Sequence, residues 1–253
     1  MHLILTGATG HIGSGVLDAM MKMKDITRIS VLSRRPVKFA EDAKDPRVHV
    51  IINKNFEKYD PEIISQLKGA TGCVWALGIS QTQVGKEEYV RITKTLAIES
   101  AKAFQALPAN NEPFNFVYVS GNGATTQPTS RSVIFARVKG ETELALAEMR
   151  KQNPSLHALS VRPAIVDSSA HTAIQPYVPE PSLPIKATRF VLGPIARTWV
   201  PSYTSPTEPL GRFLAEAALG RHREQFKPGP GIEMIGDFPI LENSVFRRLA
   251  GLK

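Results

Sequence analysis

Short apolar runs alternate with longer amphipathic stretches through most of the chain. Some runs are almost continuously hydrophobic, such as Val48-His49-Val50-Ile51-Ile52 and Phe116-Val117-Tyr118-Val119, which is typical of parallel strands covered on both faces. The runs predict strands at His2–Thr6, Arg28–Ser33, Arg47–Ile52, Gly72–Leu77, Asn115–Ser120 and Leu156–Val161. Helical spacing between them predicts helices at Ile12–Lys24, Pro61–Leu67, Lys86–Ala106 and Ser132–Lys151.

This alternation predicts an α/β fold, a doubly wound parallel sheet of the Rossmann type joined by right-handed crossovers. After Arg162-Pro163 the chain becomes rich in proline and aromatic residues, up to Pro209. Such a segment favours a substrate lid over irregular packing at the sheet edge. We therefore predict one domain over 1–253, with a Rossmann core at about 1–165 and a small C-terminal substrate cap with terminal helices at about 166–253.

Three further elements are predicted near the C-terminus. They are a helix at about Thr207–Leu219, a short strand near Glu233–Ile235 and a terminal helix near Asn243–Leu249.

A glycine-rich turn links the first strand to the first helix, in the sequence Thr6-Gly7-Ala8-Thr9-Gly10-His11-Ile12-Gly13. Dinucleotide cofactors need this arrangement because glycines allow a tight turn and a close approach of the backbone to the pyrophosphate. The pyrophosphate then lies at the positive end of the following helix. The position of the turn, after a strand and before a helix, favours a cofactor site over an ordinary turn.

The second strand indicates which dinucleotide is bound. An NAD site has Asp or Glu about 20 residues after the third glycine, and here that region reads Ser33-Arg34-Arg35. A hydroxyl and two guanidinium groups replace the carboxylate that would repel a 2′-phosphate, and guanidinium binds phosphate through paired charged hydrogen bonds. We therefore predict NADP(H) as the cofactor, the alternative being two arginines on a surface loop.

Two other strand ends are candidate contacts of the cofactor, since ligands of doubly wound sheets lie beyond the carboxyl ends of the strands. Ala76-Leu77-Gly78 follows the fourth strand and could pass under a ribose. Asn55-Phe56 follows the third strand, where an adenine would rest. Either segment could equally be an ordinary turn.

Composition and charge narrow the class of protein. The chain is 42% hydrophobic and 21% charged, with a formal charge of +8 that is scattered rather than interleaved with aromatic residues, so no nucleic-acid partner is expected. The single cysteine, Cys73, excludes an internal disulfide and a cysteine-built metal site, and no metal-ligand spacing occurs elsewhere. Because the glycine turn comes so early in the sequence, we expect no signal peptide, and no apolar run reaches the ~18 residues of a membrane span. We expect a cytoplasmic protein with no membrane partner.

Taken together, the motifs resemble the short-chain dehydrogenase/reductase superfamily, in particular its atypical, epimerase-like branch. The resemblance covers roughly residues 2–220. It rests on the glycine turn, Ala76-Leu77-Gly78, Tyr89-Val90-Arg91, Val119-Ser120, Val138-Lys139-Gly140-Glu141 and Val161-Arg162-Pro163. What it implies is an NAD(P)-binding Rossmann fold whose cofactor site includes Thr9, His11, Ile12, Lys139 and Pro163.

The resemblance also implies a Ser–Tyr–Lys mechanism, in which the serine holds a substrate carbonyl, the tyrosine exchanges a proton and the lysine binds the nicotinamide ribose. Ser120 and Lys139 match that pattern, but the tyrosine position is Phe135. We therefore expect an NADP(H)-dependent oxidoreductase acting on a carbonyl, alcohol or enone of a small organic molecule. The alternatives are a non-redox isomerase or cyclase on the same fold, and a cofactor-binding regulatory protein. We expect the protein to be a monomer or a homodimer.

Overall fold

The computed structural model describes residues 1–109, 112–179 and 201–252 of the 253-residue chain. Its main sheet is built from strands β1 His2–Thr6, β2 Arg28–Ser33, β3 Val48–Ile52, β4 Gly72–Trp75, β5 Phe114–Val119, β6 Leu156–Arg162, β9 Ile232–Ile235 and β10 Phe238–Glu242. The strand order is β3-β2-β1-β4-β5-β6-β10-β9, and β9 pairs antiparallel with β10 while the other pairs are parallel. The order reverses between β1 and β4, which is the switch point where doubly wound sheets bind ligands.

Helices cover both faces of this sheet. They are α1 His11–Lys22, α2 Lys38–Ala43, α3 Pro61–Leu67, α4 Lys86–Val90, α5 Leu96–Phe104, α6 Ile134–Gln152, α7 Thr207–Ala218 and α8 Asn243–Leu249. Successive residues of a strand point to opposite faces, so Leu3 and Leu5 join the apolar cluster that contains α1 and α7, whereas Ile4 joins the cluster that contains α5. The doubly wound prediction is confirmed.

Helices α1 and α7 cross at two glycines. A Cβ on Gly15 would lie 2.7 Å from the carbonyl oxygen of Thr207, and one on Gly211 would lie 2.3 Å from the carbonyl oxygen of Gly15. Only glycine allows the backbones to approach this closely. The crossing places a helix from the C-terminal part of the chain directly against the helix that follows the glycine turn.

The structure adds elements that the sequence pattern did not predict. Strand β10 contains Pro239, which is typical of a turn, but its pairing with β6 covers only Ile240, Leu241 and Glu242, so the missing N–H of the proline removes no bond from that ladder. Helix α2 is also new. The predicted helix Lys86–Ala106 is divided by a π-helical segment, Arg91–Thr95, and ends at Phe104.

The C-terminal part of the chain contributes to the sheet as well as to its rim. Strands β9 and β10 extend the main sheet, and the short strands β7 Ile165–Asp167 and β8 Thr204–Pro206 pair separately beside it. Much of the predicted lid, with Pro181, Pro184, Phe190, Pro194 and Trp199, lies outside the described residues. Among the described residues, no helix combines the length and the apolar character needed to cross a membrane.

Candidate functional site

The glycine turn follows β1 and leads directly into α1. Gly7 has φ +71°, and a Cβ there would lie 2.3 Å from the carbonyl oxygen of Ala76. A Cβ on Gly13 would lie 2.1 Å from the carbonyl oxygen of Gly7. These two glycines are therefore required by the fold. A Cβ on Gly10 would meet only the Gly7 oxygen, at an ordinary 3.5 Å, so packing does not explain that glycine. The open space beside Gly10 fits a ligand that approaches the backbone.

Helix α1 begins at the open end of this turn with Gly10 as its N-cap and has no acidic residue in its first turn. The amides at such an end have no partner within the helix, and the helix dipole adds a partial positive charge. The His11 ring is directed to Ser168, with Nδ1 3.1 Å from the serine Oγ. His11 therefore presents its backbone N–H, and not its ring, to the turn. Thr9 and Ile12 are half-buried there, and Ile12 packs against the apolar core.

At the end of β2, Arg34 and Arg35 are exposed. The hydroxyl of Ser33 accepts a hydrogen bond from the backbone N–H of Arg35 at 3.3 Å, which fixes the start of this loop. No acidic side chain forms an ion pair with either arginine among the described residues. Both guanidinium groups are thus available to an anion.

Asn53, which the sequence analysis did not select, lies beside this loop at the end of β3. Its N–H donates to the carbonyl oxygen of Ser33 at 2.9 Å, and it is 4% exposed. Its Nδ2 is buried and has no hydrogen-bond partner among the described residues. An unpaired buried donor is costly, so such a group points to a bound partner. The available signal was its position, since parallel strands place their carboxyl ends side by side.

The neighbouring residues Asn55 and Phe56 lie differently from what we predicted for an adenine contact. Asn55 is exposed, and its Oδ1 accepts a hydrogen bond from the Glu57 N–H. Phe56 is 1% exposed and packs edge-on against Trp75 in the core, with ring centroids 6.0 Å apart. The structure therefore does not bring the Phe56 ring to the site, because an apolar ring after a short strand is better buried than left at a strand end.

The segment Ala76-Leu77-Gly78 lies against the glycine turn, as its position after β4 predicts. The Leu77 N–H donates to the Thr6 Oγ1 at 3.2 Å. A Cβ on Gly78 would meet nothing within 4 Å. The two loops thus form adjoining edges of the same opening.

Ser120 and Lys139 meet at the end of β5. The Lys139 ammonium donates to the carbonyl oxygens of Ser120, at 2.6 Å, and of Val119, at 3.3 Å. It also lies 5.7 Å from the ring centroids of both Tyr118 and Phe135. Burial lowers the pKa of Lys139 to about 8. The Ser120 Oγ is buried and has no hydrogen-bond partner in the described part of the chain.

Phe135 occupies the position of the missing tyrosine and lies one helical turn before Lys139. A Cβ on Gly121 would lie 3.1 Å from its Cζ, so the tip of the ring points at the Ser120-Gly121 turn. The N–H of Phe135 donates to the Oε1 of Gln81, at 3.1 Å. The Phe135 ring therefore faces the Ser120-Gly121 turn but carries no exchangeable proton.

Pro163 lies at the other side of this turn, because the Asn122 N–H donates to its carbonyl oxygen at 2.8 Å. Behind Lys139, Glu143 is completely buried and forms an ion pair with Arg162, with 2.6 Å between oxygen and nitrogen. The sequence analysis did not select this pair, because its two members are brought together only by the packing of α6 against β6.

Two polar residues of the segment after β7 make their contacts away from this site. His171 is buried between Asp18, whose Oδ2 is 3.0 Å from its Nε2, and Thr207, whose Oγ1 is 3.0 Å from its Nδ1. Tyr177 stacks on Phe39 at a centroid distance of 4.7 Å. Both residues thus connect the segment after β7 to helices of the main fold.

Several known proteins are similar in sequence to a large part of this chain, although no family model matches it. It is 33% identical over 243 residues to leucinostatins biosynthesis cluster protein T of Purpureocillium lilacinum, covering 88% of this chain and 87% of that protein. It is 43% identical over 158 residues to botcinic acid biosynthesis cluster B protein 16 of Botryotinia fuckeliana, covering 62% and 99%. It is 29% identical over 153 residues to the mitochondrial protein FMP52 of Lodderomyces elongisporus, covering 58% and 61%.

Solved structures share the fold at low sequence identity. A short-chain dehydrogenase/reductase from Saccharomyces cerevisiae matches with a TM-score of 0.64 at 14% identity, covering 96% of this chain and 95% of that one. An oxidoreductase of the same family from Burkholderia thailandensis matches with a TM-score of 0.65 at 11% identity, covering 100% and 98%. The fold is thus that of the short-chain dehydrogenases/reductases. The chain belongs to the same family as leucinostatins biosynthesis cluster protein T.

Proposed function

We propose that the protein is an NADP(H)-dependent reductase or dehydrogenase that acts on a carbonyl, alcohol or enone of a small organic molecule. The observation that carries this proposal is the Ser120 Oγ, buried and unpaired among the described residues, beside the Lys139 ammonium. A hydroxyl left without a partner costs about 1–3 kcal/mol, and a substrate oxygen would satisfy it.

The residues fit a dinucleotide. The open space at Gly10 and the first amides of α1 would receive the pyrophosphate, and Arg34 and Arg35 would bind a 2′-phosphate. The unpaired Nδ2 of Asn53 would donate to a ring nitrogen of the adenine. A nicotinamide cofactor supplies or accepts a hydride when bound, while Ser120 would hold the substrate oxygen in place.

The relatives support a small organic substrate. Two of them are proteins of the botcinic acid and leucinostatins biosynthesis clusters by name. A tailoring step in the synthesis of a secondary product, in which one carbonyl or alcohol is reduced or oxidised, agrees with a redox fold in that setting.

A second candidate is favoured by Phe135. Because this position has no proton to give, the fold could instead serve a non-redox isomerase or cyclase, or a cofactor-binding regulatory protein. In either case the cofactor site would be kept without hydride transfer.

The experiment that separates the candidates is a fluorescence titration with NADPH and NADH, followed by NADPH consumption assays on a panel of ketones, aldehydes and enones. We expect tighter binding of NADPH than of NADH, and turnover with at least one class of substrate. Tight binding of NADPH without its consumption would favour the second candidate function, a non-redox enzyme or a regulatory protein.

Location and assembly stay predictions. We propose a cytoplasmic monomer or homodimer with a small-molecule substrate and with neither a nucleic-acid nor a membrane partner. A mitochondrial location is the alternative that the FMP52 relative offers through its name.

A further inference from the structure

Reduction of a carbonyl needs a proton for the oxygen as well as a hydride for the carbon, and among the described residues at the end of β5 the charged donor is the Lys139 ammonium. Phe135 is aprotic. The Tyr118 hydroxyl points away from the site and donates to the carbonyl oxygen of Thr93, at 3.3 Å. The Lys139 ammonium lies 2.6 Å from the Ser120 carbonyl oxygen, at the same strand end as the unpaired Ser120 hydroxyl.

We propose that Lys139 is itself the acid and base of the reaction, in place of the tyrosine that Phe135 replaces. This inference rests on the proposed function. In the reducing direction the carbonyl carbon gains a hydride from the reduced nicotinamide, and the π electron pair moves to the oxygen. The oxygen then takes a proton from Nζ, directly or through the Ser120 hydroxyl. The lysine is left as a neutral amine and regains its proton from water.

The surroundings of Lys139 suit this role. An ammonium has three N–H donors, and two of them are held by the carbonyl oxygens of Val119 and Ser120, which leaves a third for a substrate or the Ser120 hydroxyl. The aromatic rings of Tyr118 and Phe135 flank the ammonium, each with its centroid 5.7 Å from Nζ.

The charged groups around Lys139 also support its role as an acid. The acidic group of its own helix that acts on Lys139 is Glu143, whose negative charge raises the pKa of Lys139. Arg162 on β6 pairs with that carboxylate, and the Ser160 hydroxyl donates to it at 2.8 Å. Burial is the larger influence and leaves the pKa of Lys139 at about 8, so the group is protonated at neutral pH and is a stronger acid than an ordinary lysine.

The decisive variant is Lys139→Arg, because arginine keeps the positive charge near the cofactor but does not release its proton. We expect this variant still to bind NADPH, and to lose turnover at saturating NADPH by about 100-fold or more, the usual worth of general acid catalysis. In Lys139→Ala, ethylamine added to the buffer should restore part of the turnover, with better rescue by amines of lower pKa. A purely structural lysine would not give that dependence.

A second measurement uses the parent protein without cofactor. Competitive labelling with acetic anhydride between pH 6 and pH 11, read by mass spectrometry, reports the titration of Lys139. We expect a midpoint near the pKa of about 8, and turnover in the reducing direction that falls with rising pH over the same range, since reduction consumes the protonated form. Oxidation of the alcohol should rise over that range.

Turnover by Lys139→Arg at the parent rate would overturn this inference and leave the proposed function standing. A turnover that stays constant through the pH at which Lys139 titrates would do the same. If the parent binds NADPH but consumes none with any substrate class, the proposed function fails and the inference fails with it.

Discussion

Glu143 and Arg162 form a buried ion pair one helical turn behind Lys139. The Glu143 carboxylate is 0% exposed and accepts hydrogen bonds from the arginine at 2.6 and 3.0 Å. The arginine also donates to Glu242 of β10, at 2.8 Å. One guanidinium thus joins α6, β6 and β10.

Removing the arginine should be costly. Arg162→Met leaves the Glu143 carboxylate buried without a counter-ion, which typically lowers the free energy of unfolding by about 3–5 kcal/mol. Urea denaturation followed by circular dichroism measures the change. As the control, Lys102→Met breaks an exposed pair with Glu99 and should change stability by less than about 1 kcal/mol. A similar small effect of Arg162→Met would contradict the structural role of the pair.

Gly10→Val tests the dinucleotide site without disturbing the fold. The Cβ at this position enters open space, so stability should be kept while NADPH binding is lost, because the side chain fills the volume that the pyrophosphate needs. Gly13→Val is the matched comparison, since its Cβ would lie 2.1 Å from a backbone oxygen and should destabilise the protein itself. Titration calorimetry and thermal unfolding separate the two effects. If Gly10→Val binds NADPH as well as the parent, the turn has only a structural role.

Arg34→Ala tests the preference for a 2′-phosphate. We expect a loss of about 1–3 kcal/mol of NADPH affinity, the worth of a charge-assisted contact, and an unchanged affinity for NADH. Arg248→Ala, which removes an exposed arginine of α8, should leave both affinities as they are. Equal affinities of the parent for the two cofactors would argue against NADP(H) as the natural one.

Phe135→Tyr returns an exchangeable proton to the site. The new hydroxyl extends from the Cζ that points at the Ser120-Gly121 turn, so under the proposed function turnover should be preserved or increased, by up to about 10²–10⁴-fold for a second general acid. NADPH affinity, measured in parallel, should not change. Absence of NADPH consumption in both forms would favour the non-redox candidate.

The stability of the protein should fall in mild acid because of His2. This histidine is 9% exposed, its Nε2 is 2.8 Å from the Ser30 hydroxyl, and burial lowers its pKa to about 4. An unfolded histidine binds a proton below about pH 6.5, so the unfolded state gains protons first and stability declines between about pH 6.5 and 4. Urea midpoints across this range measure the decline. His2→Gln should reduce the decline without abolishing it, because burial also lowers the pKa of His157 to about 4. An unchanged slope would exclude His2 as a cause.

Local sequence patterns predicted the parts of the site that lie within one strand–turn–helix unit. The spacing of Gly7, Gly10 and Gly13 after an apolar run is of this kind, and so is the helical spacing of Phe135 and Lys139. Features that depend on which strand ends become neighbours were missed. Asn53 reads as an ordinary polar residue until β2 and β3 are placed side by side.

The direction of a side chain was equally hard to predict from local pattern. Phe56 follows a strand as an adenine contact would, and only the position of Trp75 shows that it is buried. Strand β10 was hidden by Pro239, because the register that makes the proline harmless is a property of the assembled sheet.

The crossing of α1 and α7 has a consequence for synthesis on the ribosome. A nascent chain that has released its first 165 residues contains the glycine turn and α1, but the apolar cluster around Val16 and Leu17 is completed by Leu214 and Ala218. Contacts so distant in sequence form late and at a large cost in loop entropy. The N-terminal part therefore emerges with an apolar surface uncovered, which exposes it to aggregation until α7 has been synthesised. We therefore expect the nascent chain to need a chaperone that covers this apolar surface during that interval.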